Sequence, residues 1–454
     1  MKDTDVSPGY RQKMAEVIPE EWHLTRMKNC LREIKDKSYP PHPEVPYLGL
    51  EHLDSGEMDA SGCGDPSLVQ STCSAFKAGD ILYGKLRPYL DKAIIAPFDG
   101  ICSTEIVVMD AKENSLNQFL IYHIHSDDFV GHNVSHAFGT KMPRTSFNTI
   151  GEYPLPLPPL PEQHCIAAVL STVDVGITAT GEVIAKIEEL KRGLVQDLLT
   201  KGIDENGRIR SEEIHEFCEV QRMRVPVGWE VAQLKDVISE KLQSGYSGYE
   251  TGESDGIRAL TLTAVTENRI DVSNTKYIKA DHERVKDLFI RRNDIFIERS
   301  NTLALVGLAA LYEGDEPFAI YPDLLVRARA NREMILPKIL LESILHPRSR
   351  TYFRRSAKGT SGSMKKIDQK IIGNLYLPLP PLPEQHRIAA ILSTVDRDLA
   401  AERAHRAHLL TLKKGLMRDL LTGRKRVPLN GAGRMADPGS QSVMSCNTPP
   451  EDRP

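Results

Sequence analysis

Two short patterns in the chain have the residue types of a catalytic or metal site, and each lacks a required member. The segment from Gly79 to Lys85 has the spacing of a phosphate-binding loop, but Leu86 stands where Ser or Thr must hold magnesium. His132 and His136 are spaced like zinc ligands on a helix, without the glutamate that such sites use as a base. We therefore predict no catalytic residue, no metal site and no cofactor.

The other residues that could carry chemistry are cations beside Gly, Ser and Thr. Flexible basic loops suit contacts with DNA phosphates, and Arg or Lys side chains can also read base edges. We predict DNA contacts for Lys85, Arg87, Lys141 and Arg144 in the first half of the chain, and for Arg299, Lys358, Lys365 and Lys366 in the second. A charge run is equally typical of a solvated surface, so these clusters alone leave both interpretations open.

The charge of the chain is distributed unevenly. The net charge is −4, which is unusual for a protein that grips DNA alone, because cations supply most non-specific affinity. Residues 1–150 carry 15 Lys and Arg against 21 Asp and Glu, whereas residues 216–372 carry 25 against 22. Any DNA affinity must then come from local basic faces or from partner subunits.

A segment of 20 residues occurs twice. LPLPPLPEQHCIAAVLSTVD at 155–174 returns as LPLPPLPEQHRIAAILSTVD at 377–396, with 18 identical positions at an offset of 222. The regions before each copy have diverged almost beyond recognition. The chain is therefore two copies of one unit. We expect the repeated segments to contact the same kind of partner and the variable regions to contact different ones.

Each copy passes from a proline-rich stretch into a long helical pattern. The helices are predicted to begin near Glu162 and Glu384 and to end before Gly202 and Gly423, because early Glu and late Gly suit helix ends. Apolar residues recur at heptad spacing over five heptads, which predicts a helical partner. We expect the two long helices to pack antiparallel against each other; the alternative is that each lies across its own domain.

The variable regions read as mixed α and β. Ile81–Tyr83 and Ile295–Ile297 follow turns and alternate like strands, as do Glu105–Met109, Ala259–Val265 and Leu324–Ala328. Trp22 and Trp229, each three residues after a proline, are predicted to be packing anchors. We predict an α+β fold of two mixed domains separated by an antiparallel coiled coil with an internal pseudo-twofold repeat. The predicted segments are domain 1 (1–150), repeat 1 (151–215), domain 2 (216–372), repeat 2 (373–424) and a disordered tail (425–454).

The repeated PLPPLPEQ and LSTVD motifs, followed by a long helix ending in DLLT, resemble the specificity subunits of type I restriction-modification enzymes. The resemblance implies two target-recognition domains that read a bipartite, asymmetric double-stranded DNA site. It also implies that the repeated segments dock two methyltransferase subunits, which motor-nuclease subunits join, and that this subunit binds no S-adenosylmethionine, ATP or magnesium. For docking we name the polar residues at the helix starts, Glu162, Gln163, Glu384 and Gln385.

Two other functions stay open from the sequence. A stand-alone DNA methyltransferase or nuclease is one, although Asn447–Glu451 has the wrong order for a methylation motif. A coiled-coil scaffold without a DNA role is the other. No uninterrupted apolar stretch approaches about 18 residues, so we expect no membrane contact and a cytoplasmic location.

Overall fold

The computed structural model describes residues 10–13, 16–253, 256–266, 269–314, 318–359 and 364–428. The chain divides into two compact units: unit 1 comprises residues 1–181 and 404–454, and unit 2 comprises residues 182–403. Both mix helices and strands, which confirms the predicted fold class. The predicted domain ends at 150 and 372 fall inside short helices rather than in linkers.

Unit 1 is built on two four-stranded sheets. Its strands are β1 (Tyr10–Lys13), β2 (Glu16–Pro19), β3 (His23–Arg26), β4 (Leu31–Ile34), β5 (Lys37–Ser38), β6 (Tyr47–Leu48), β7 (Cys73–Phe76), β8 (Ile81–Gly84), β9 (Ala93–Ile95), β10 (Gly100–Ser103), β11 (Ile106–Ala111) and β12 (Pro154–Leu157). Its short helices are α1 (Met27–Cys30), α2 (Asn117–Ile124), α3 (Asp127–Ser135) and α4 (Phe147–Gly151). The sheet orders are β5-β7-β10-β6 and β4-β11-β8-β9. β8 is buried along its whole length, as its continuous apolar run predicts.

The proline-rich stretch of the first repeat is itself part of unit 1. It forms β12, which pairs antiparallel with β3 so that Pro156 lies opposite Leu24. Proline is tolerated here because the strand belongs to a two-stranded sheet and has a free side. The same pairing recurs in unit 2.

Unit 2 is built on a six-stranded sheet. Its strands are β13 (Phe217–Val220), β14 (Met223–Pro226), β15 (Glu230–Gln233), β16 (Gln243–Ser244), β17 (Ile257–Leu260), β18 (Val265–Thr266), β19 (Arg269–Ile270), β20 (Thr275–Ile278), β21 (Asp294–Glu298), β22 (Ser300–Asn301), β23 (Ala309–Leu311), β24 (Leu325–Arg329), β25 (Lys365–Lys366) and β26 (Tyr376–Leu379). The large sheet runs β16-β24-β21-β23-β19-β18, and β15 pairs with β26.

Four of the five predicted strands are present as β8, β11, β21 and β24. The prediction of one strand over Ala259–Val265 is wrong, because β17 ends at Leu260 and a 3-10 turn follows at Leu262–Ala264. The hydroxyls of Thr261 and Thr263 bond to Asn274 across the neighbouring turn, at 2.7 and 2.9 Å. These local side-chain hydrogen bonds compete with the extended ladder.

Two helices of 39 residues each complete the fold. In the order of the chain, α5 is Leu160–Leu198, the short helices of unit 2 are α6 (His282–Val285), α7 (Pro337–Leu345), α8 (Pro347–Ser356) and α9 (Gln369–Gly373), and α10 is Leu382–Leu420. Both long helices begin two residues before the predicted start, and a proline occupies the second helical position, where its missing N–H costs nothing. Each is about 58 Å long at 1.5 Å per residue.

The long helices pack antiparallel, and the contacts inside each unit establish the direction. In unit 1, the start of α5 meets the end of α10, with Asp174 Oδ1 2.6 Å from Lys413 Nζ. In unit 2, the end of α5 meets the start of α10, with Lys191 Nζ 2.7 Å from Asp396 Oδ1. Because residue numbers rise along one helix as they fall along the other, the predicted antiparallel pair is confirmed. The helices also enter the unit cores, so the alternative is true in part.

α5 contains a long apolar stretch. One 18-residue window has a mean hydropathy of 1.4, so by length and composition alone the helix could cross a membrane. Its N-terminal half buries Ile166 and Leu170 in the core of unit 1, and its C-terminal half buries Val195 and Leu198 in the core of unit 2. α5 is therefore a core helix.

Candidate nucleic-acid interface and helix-start clusters

The four cations predicted to touch DNA in the first half lie together. We call residues 85–87 and 138–145 the first edge. Lys85 N donates to Glu105 O, Thr145 N donates to Lys85 O, and Arg87 N donates to Pro143 O, at 3.0, 3.0 and 2.7 Å. Leu86 and Phe138 each form a β-bridge with Arg144. The edge thus continues beyond the end of β8.

The side chains of the first edge differ in solvent exposure and in their hydrogen-bond partners. Arg87 and Lys141 are exposed and Lys85 is half-buried. Arg144 is half-buried and its Nε donates to Glu105 Oε2 at 3.0 Å, so its charge is partly neutralised and its direction fixed. Phe138 is 59% exposed beside this pair.

The second edge, residues 299–301, 358–359 and 364–368, gathers the four cations predicted in the second half. Arg299 N donates to Leu324 O, and Ile367 N donates to Arg299 O, both at 2.9 Å. β22 pairs with β25, which sets Ser300 opposite Lys366, and Lys358 bridges Lys366. Residues 360–363 of the predicted basic loop lie outside the described residues.

The cations of the second edge also comprise two exposed and two half-buried side chains. The side chain of Lys358 is 80% exposed, and its Nζ lies 3.9 Å from Asp368. Lys366 is exposed, whereas Lys365 Nζ donates to Gly359 O at 2.8 Å. Arg299 is half-buried, with one guanidinium nitrogen 3.5 Å from Ser244 Oγ.

The two edges share a backbone plan and differ in side chains. Lys85 and Arg299 occupy the same place, because each follows the equivalent strand and exchanges the same two backbone hydrogen bonds. By the same bridges, Arg144 corresponds to Lys366, and Phe138 corresponds to Lys358. One framework therefore presents an aromatic ring and an Arg–Glu pair in unit 1, and two lysines in unit 2.

Sequence reasoning missed a buried carboxyl group next to the second edge. Glu298, the last residue of β21, is 2% exposed, and burial raises its pKa to about 7. Asn301 Nδ2 donates to Glu298 Oε2 at 2.7 Å, which fixes the amide of a residue type that can read adenine. The alternating apolar pattern of β21 gave no sign that a carboxyl group ends the strand inside the fold.

The residues predicted to dock partners at the first helix start are buried. Glu162 is 0% exposed, and it accepts hydrogen bonds from Trp22 Nε1 at 2.9 Å and from Arg426 Nε at 2.6 Å. Glu384 is 4% exposed and accepts from Trp229 Nε1 at 3.0 Å and from Arg210 at 2.5 Å. We call these two sets the helix-start clusters.

The neighbouring glutamines are equally internal. Gln163 Nε2 donates to Pro158 O and Asn114 O at 2.9 and 3.0 Å, and Gln385 Nε2 donates to Pro380 O and Met334 O at 2.9 and 2.8 Å. Docking through Glu162, Gln163, Glu384 and Gln385 is therefore not supported, because the fold holds their polar atoms inside. Both tryptophans are anchors, as predicted, with exposures of 0% and 5%.

The arginines of the clusters follow the glycines that end the long helices. Gly202 precedes Arg210, and Gly423 precedes Arg426. Gly202 has φ +63°, and a Cβ there would lie 2.2 Å from Glu384 Oε1, so only glycine fits. Arg426, which falls in the predicted disordered tail (425–454), thus belongs to this contact, while residues 429–454 lie outside the described residues.

A second polar contact lies at the last residue of each repeated segment. Asp174 accepts from Tyr122 Oη at 2.7 Å and pairs with Lys413, while Asp396 pairs with Lys191 and Lys338. Burial of Asp396 opposes its charge, but hydrogen bonds from the two lysines hold its pKa below the usual value. The final Asp of the LSTVD motif thus ties each long helix to its partner helix and its domain.

Comparison with known proteins points to one family. Residues 42–189 and 226–409 match the family model described as "Type I restriction modification DNA specificity domain". The MjaVIII type I restriction enzyme specificity subunit of Methanocaldococcus jannaschii is 25% identical over 433 residues, covering 90% of this chain and 94% of the relative.

Solved structures share the fold. A type I restriction-modification S subunit from M. genitalium has a TM-score of 0.54 at 14% identity, covering 90% of this chain and 98% of its own. A chain from a solved type I R-M system has a TM-score of 0.53 at 19% identity, covering 90% and 99%. At these identities the likeness concerns the fold alone.

The helix-start clusters predict a strong stability effect. Glu384→Gln removes the charge that pairs with Arg210 and faces Trp229 Nε1 with an amide, so we expect unit 2 to lose about 3–5 kcal/mol of its free energy of unfolding. Urea unfolding of the full chain measures this loss. Glu189→Gln, on an exposed stretch of α5, should change stability by no more than about 0.5 kcal/mol. Equal midpoints for both variants would contradict the role of the cluster.

The two edges predict separable effects on DNA binding. Lys85→Ala and Arg299→Ala should each weaken binding by the assembled complex and reduce the salt dependence by about one phosphate contact. Competition assays on duplexes altered in one part of the target should assign each variant to a different part. Lys77→Ala and Arg291→Ala, at the opposite ends of β8 and β21, serve as matched controls. Controls as weak as the edge variants would refute the assignment.

Proposed function

The chain belongs to the type I restriction-modification DNA specificity family, and from this premise we propose that it reads a bipartite, asymmetric DNA target, one part with each unit. Specificity subunits of this family recognise DNA and carry no catalytic chemistry. On this proposal the complex's methyl transfer and cleavage belong to two methyltransferase subunits and to motor-nuclease subunits that join them.

The observation that carries the proposal is the pair of matched edges. Lys85 and Arg299 have equivalent backbone contacts, but the neighbouring positions hold Phe138 and Arg144 in one unit and Lys358 and Lys366 in the other. Side chains facing DNA decide which bases are favoured, whereas backbone placement decides where the protein meets the duplex. Two readers with one plan and different side chains suit a target with two unlike parts.

The long helices supply the second element of the proposal. Each runs without interruption for 39 residues, and each contributes one half to unit 1 and the other half to unit 2. A continuous helix resists bending and stretching, so we propose that the antiparallel pair sets the number of base pairs between the two parts of the target.

A matched insertion tests the spacer. Seven residues added after Glu189 in α5 and seven after Asp398 in α10 lengthen both helices by about 10 Å and keep their packed faces nearly in phase. The gap between the two sequence blocks should grow by about three base pairs at ~3.4 Å each, while both blocks keep their sequence. Sequencing of random duplexes selected by the complex measures the gap.

The same insertion placed in a loop is the control for the spacer test. Seven residues after Glu213, an exposed loop position, should leave the gap unchanged. A constant gap in the helix variant, or an equal change in the loop variant, would contradict the proposed ruler.

We place partner docking on the exposed residues of the repeated segment. Internal contacts account for the buried identities, but not for surface positions that are identical in both copies. Within the long helices, these positions, the docking stripe, are Pro161, His164, Ala168, Ser171 and Thr172 in the first copy, and Pro383, His386, Ala390, Ser393 and Thr394 in the second; all are exposed except Ala168, which is half-buried. They recur three or four residues apart, so each set shares one helix face. The small Ala, Ser and Thr side chains of the stripe allow close approach by a helix of the same partner at both copies.

Charge added to the docking stripe should reduce partner stoichiometry stepwise. Ser171→Arg or Ser393→Arg alone should leave one methyltransferase subunit bound instead of two, and the double variant none, because each arginine blocks one copy. Mass measurement of the co-expressed complex gives the count. Gln196→Arg, exposed on α5 outside the stripe, should still bind two. Two subunits on the double variant would exclude this surface while leaving DNA recognition untouched.

A further inference from the structure

Unit 2 contains a cavity of about 40 Å³ where α7 meets α8. Its polar lining comes from Thr200, Arg224, Ser343, His346, Arg348 and Ser349. No acidic side chain is among the residues that line it. Arg224 is paired with Glu212 at 2.7 Å, whereas no ion pair joins Arg348 to a carboxylate of the described residues. The lining therefore offers hydrogen-bond donors and the positive charge of Arg348.

Two lining groups have no hydrogen-bond partner within the described parts of the chain. Ser343 is 2% exposed, and both its Oγ and the Nε2 of His346 are buried without a partner. A buried polar group left unpaired costs about 1–3 kcal/mol, so native proteins rarely keep two side by side without a use. Both groups belong to residues that line the same cavity.

The hydrogen bond at the other ring nitrogen makes His346 Nε2 a donor. Arg348 N donates to His346 Nδ1 at 3.2 Å, because His346 caps the start of α8. Burial, and next the charge of Arg348, lower the pKa of His346, which keeps the ring neutral at pH 7. A neutral ring that accepts at Nδ1 carries its proton on Nε2. The residue that carries this buried N–H lines the cavity.

The equivalent helix pair in unit 1 has an aromatic residue at the position of Ser349. Aligning the two helix pairs at an offset of 220 matches His123, Ser126 and Phe129 with Ser343, His346 and Ser349. Phe129 is 0% exposed and packs edge-on against the rings of Tyr83 and Tyr153, at 5.9 and 5.1 Å. A buried aromatic ring in unit 1 thus corresponds to the small hydroxyl side chain of Ser349 in unit 2.

We propose that this cavity of unit 2 binds a carboxylate, held by His346 Nε2–H, the Ser343 hydroxyl and the Arg348 guanidinium. Charge-assisted hydrogen bonds from such donors are the strong ones. A water-sized group needs about 10–15 Å³ on the same measure, so the cavity takes about three non-hydrogen atoms, the number in a carboxylate. The carboxylate comes either from a free small anion or from an Asp or Glu side chain of a docked protein.

Formate titration of the full chain tests the proposal. With histidine rings isotopically labelled, the NMR signal that disappears in His346→Ser reports the site. We expect formate, but not chloride, to shift this signal saturably at pH 7. Ser343→Ala should weaken formate binding by about tenfold or more, the effect of one hydrogen bond to a charged group.

The variants are chosen so that folding does not decide the result. His346→Ser keeps a helix cap, because Ser126 caps the equivalent helix in unit 1. Its unfolding midpoint and the remaining histidine signals verify the fold. His405→Ser, exposed on α10, should leave formate binding unchanged.

Repeating the titration on the complex with its partners separates the two sources of the carboxylate. A formate shift that survives assembly identifies a free anion as the ligand, and a shift lost on assembly identifies a partner side chain. Absence of any formate-dependent shift in the isolated chain, or equal affinity in Ser343→Ala, would mean that the cavity holds water only and would overturn the proposal.

Discussion

The burial of a glutamate at the start of each long helix is the constraint on which the rest of the structure depends. A carboxylate inside a protein is tolerated only when hydrogen bonds and opposite charge replace water. Glu162 obtains them from Trp22 and Arg426, and Glu384 obtains them from Trp229 and Arg210. The helix N-terminus adds a favourable partial positive charge to both.

Each of these clusters joins a tryptophan, a glutamate and an arginine from three segments of the chain, and the glutamate lies at least 140 residues from the tryptophan. The tryptophan comes from the start of a domain, the glutamate from the helix that follows that domain, and the arginine from the chain beyond the other long helix. Unit 1 is consequently discontinuous, because Arg426 brings residues after α10 back to the beginning of the chain. The same interaction therefore supports both the antiparallel packing of the long helices and the folding of each domain. Loss of the glutamate would weaken both.

The same contacts explain why the buried positions of the repeated segment are nearly identical in its two copies. Glu162, Ile166, Leu170 and Asp174 recur every four residues and make the same internal contacts as Glu384, Ile388, Leu392 and Asp396. The edges are joined by backbone bridges, which do not depend on the identity of the side chains, so their side chains can differ. A repeat with fixed buried residues and edges with variable side chains fit the proposed protein, which has two different DNA-reading units and binds two copies of one partner.

Local patterns in the sequence were sufficient for four of the five predicted strands, for both long helices and for their antiparallel pairing. They were insufficient for Glu162 and Glu384, because a glutamate in a first helical turn looks the same whether it faces water or a tryptophan 140 residues away. Arg426 was assigned to a tail since its partner is distant, and Glu298 was hidden in an apolar strand pattern. The backbone equivalence of the edges, with its offset of 214 at Lys85 and Arg299, depends on tertiary bridges that no local pattern contains.

Selection of random duplexes by the complete complex, followed by exchange of one variable region, tests the central claim most directly. If two different DNA-reading units are joined by a rigid helical spacer, the selected duplexes should share two short sequence blocks separated by a gap of constant length and free sequence. Replacing residues 16–150 with those of another family member should change one block and leave the other block and the gap as they were. A single continuous block, a gap of variable length, or a change in both blocks would contradict it.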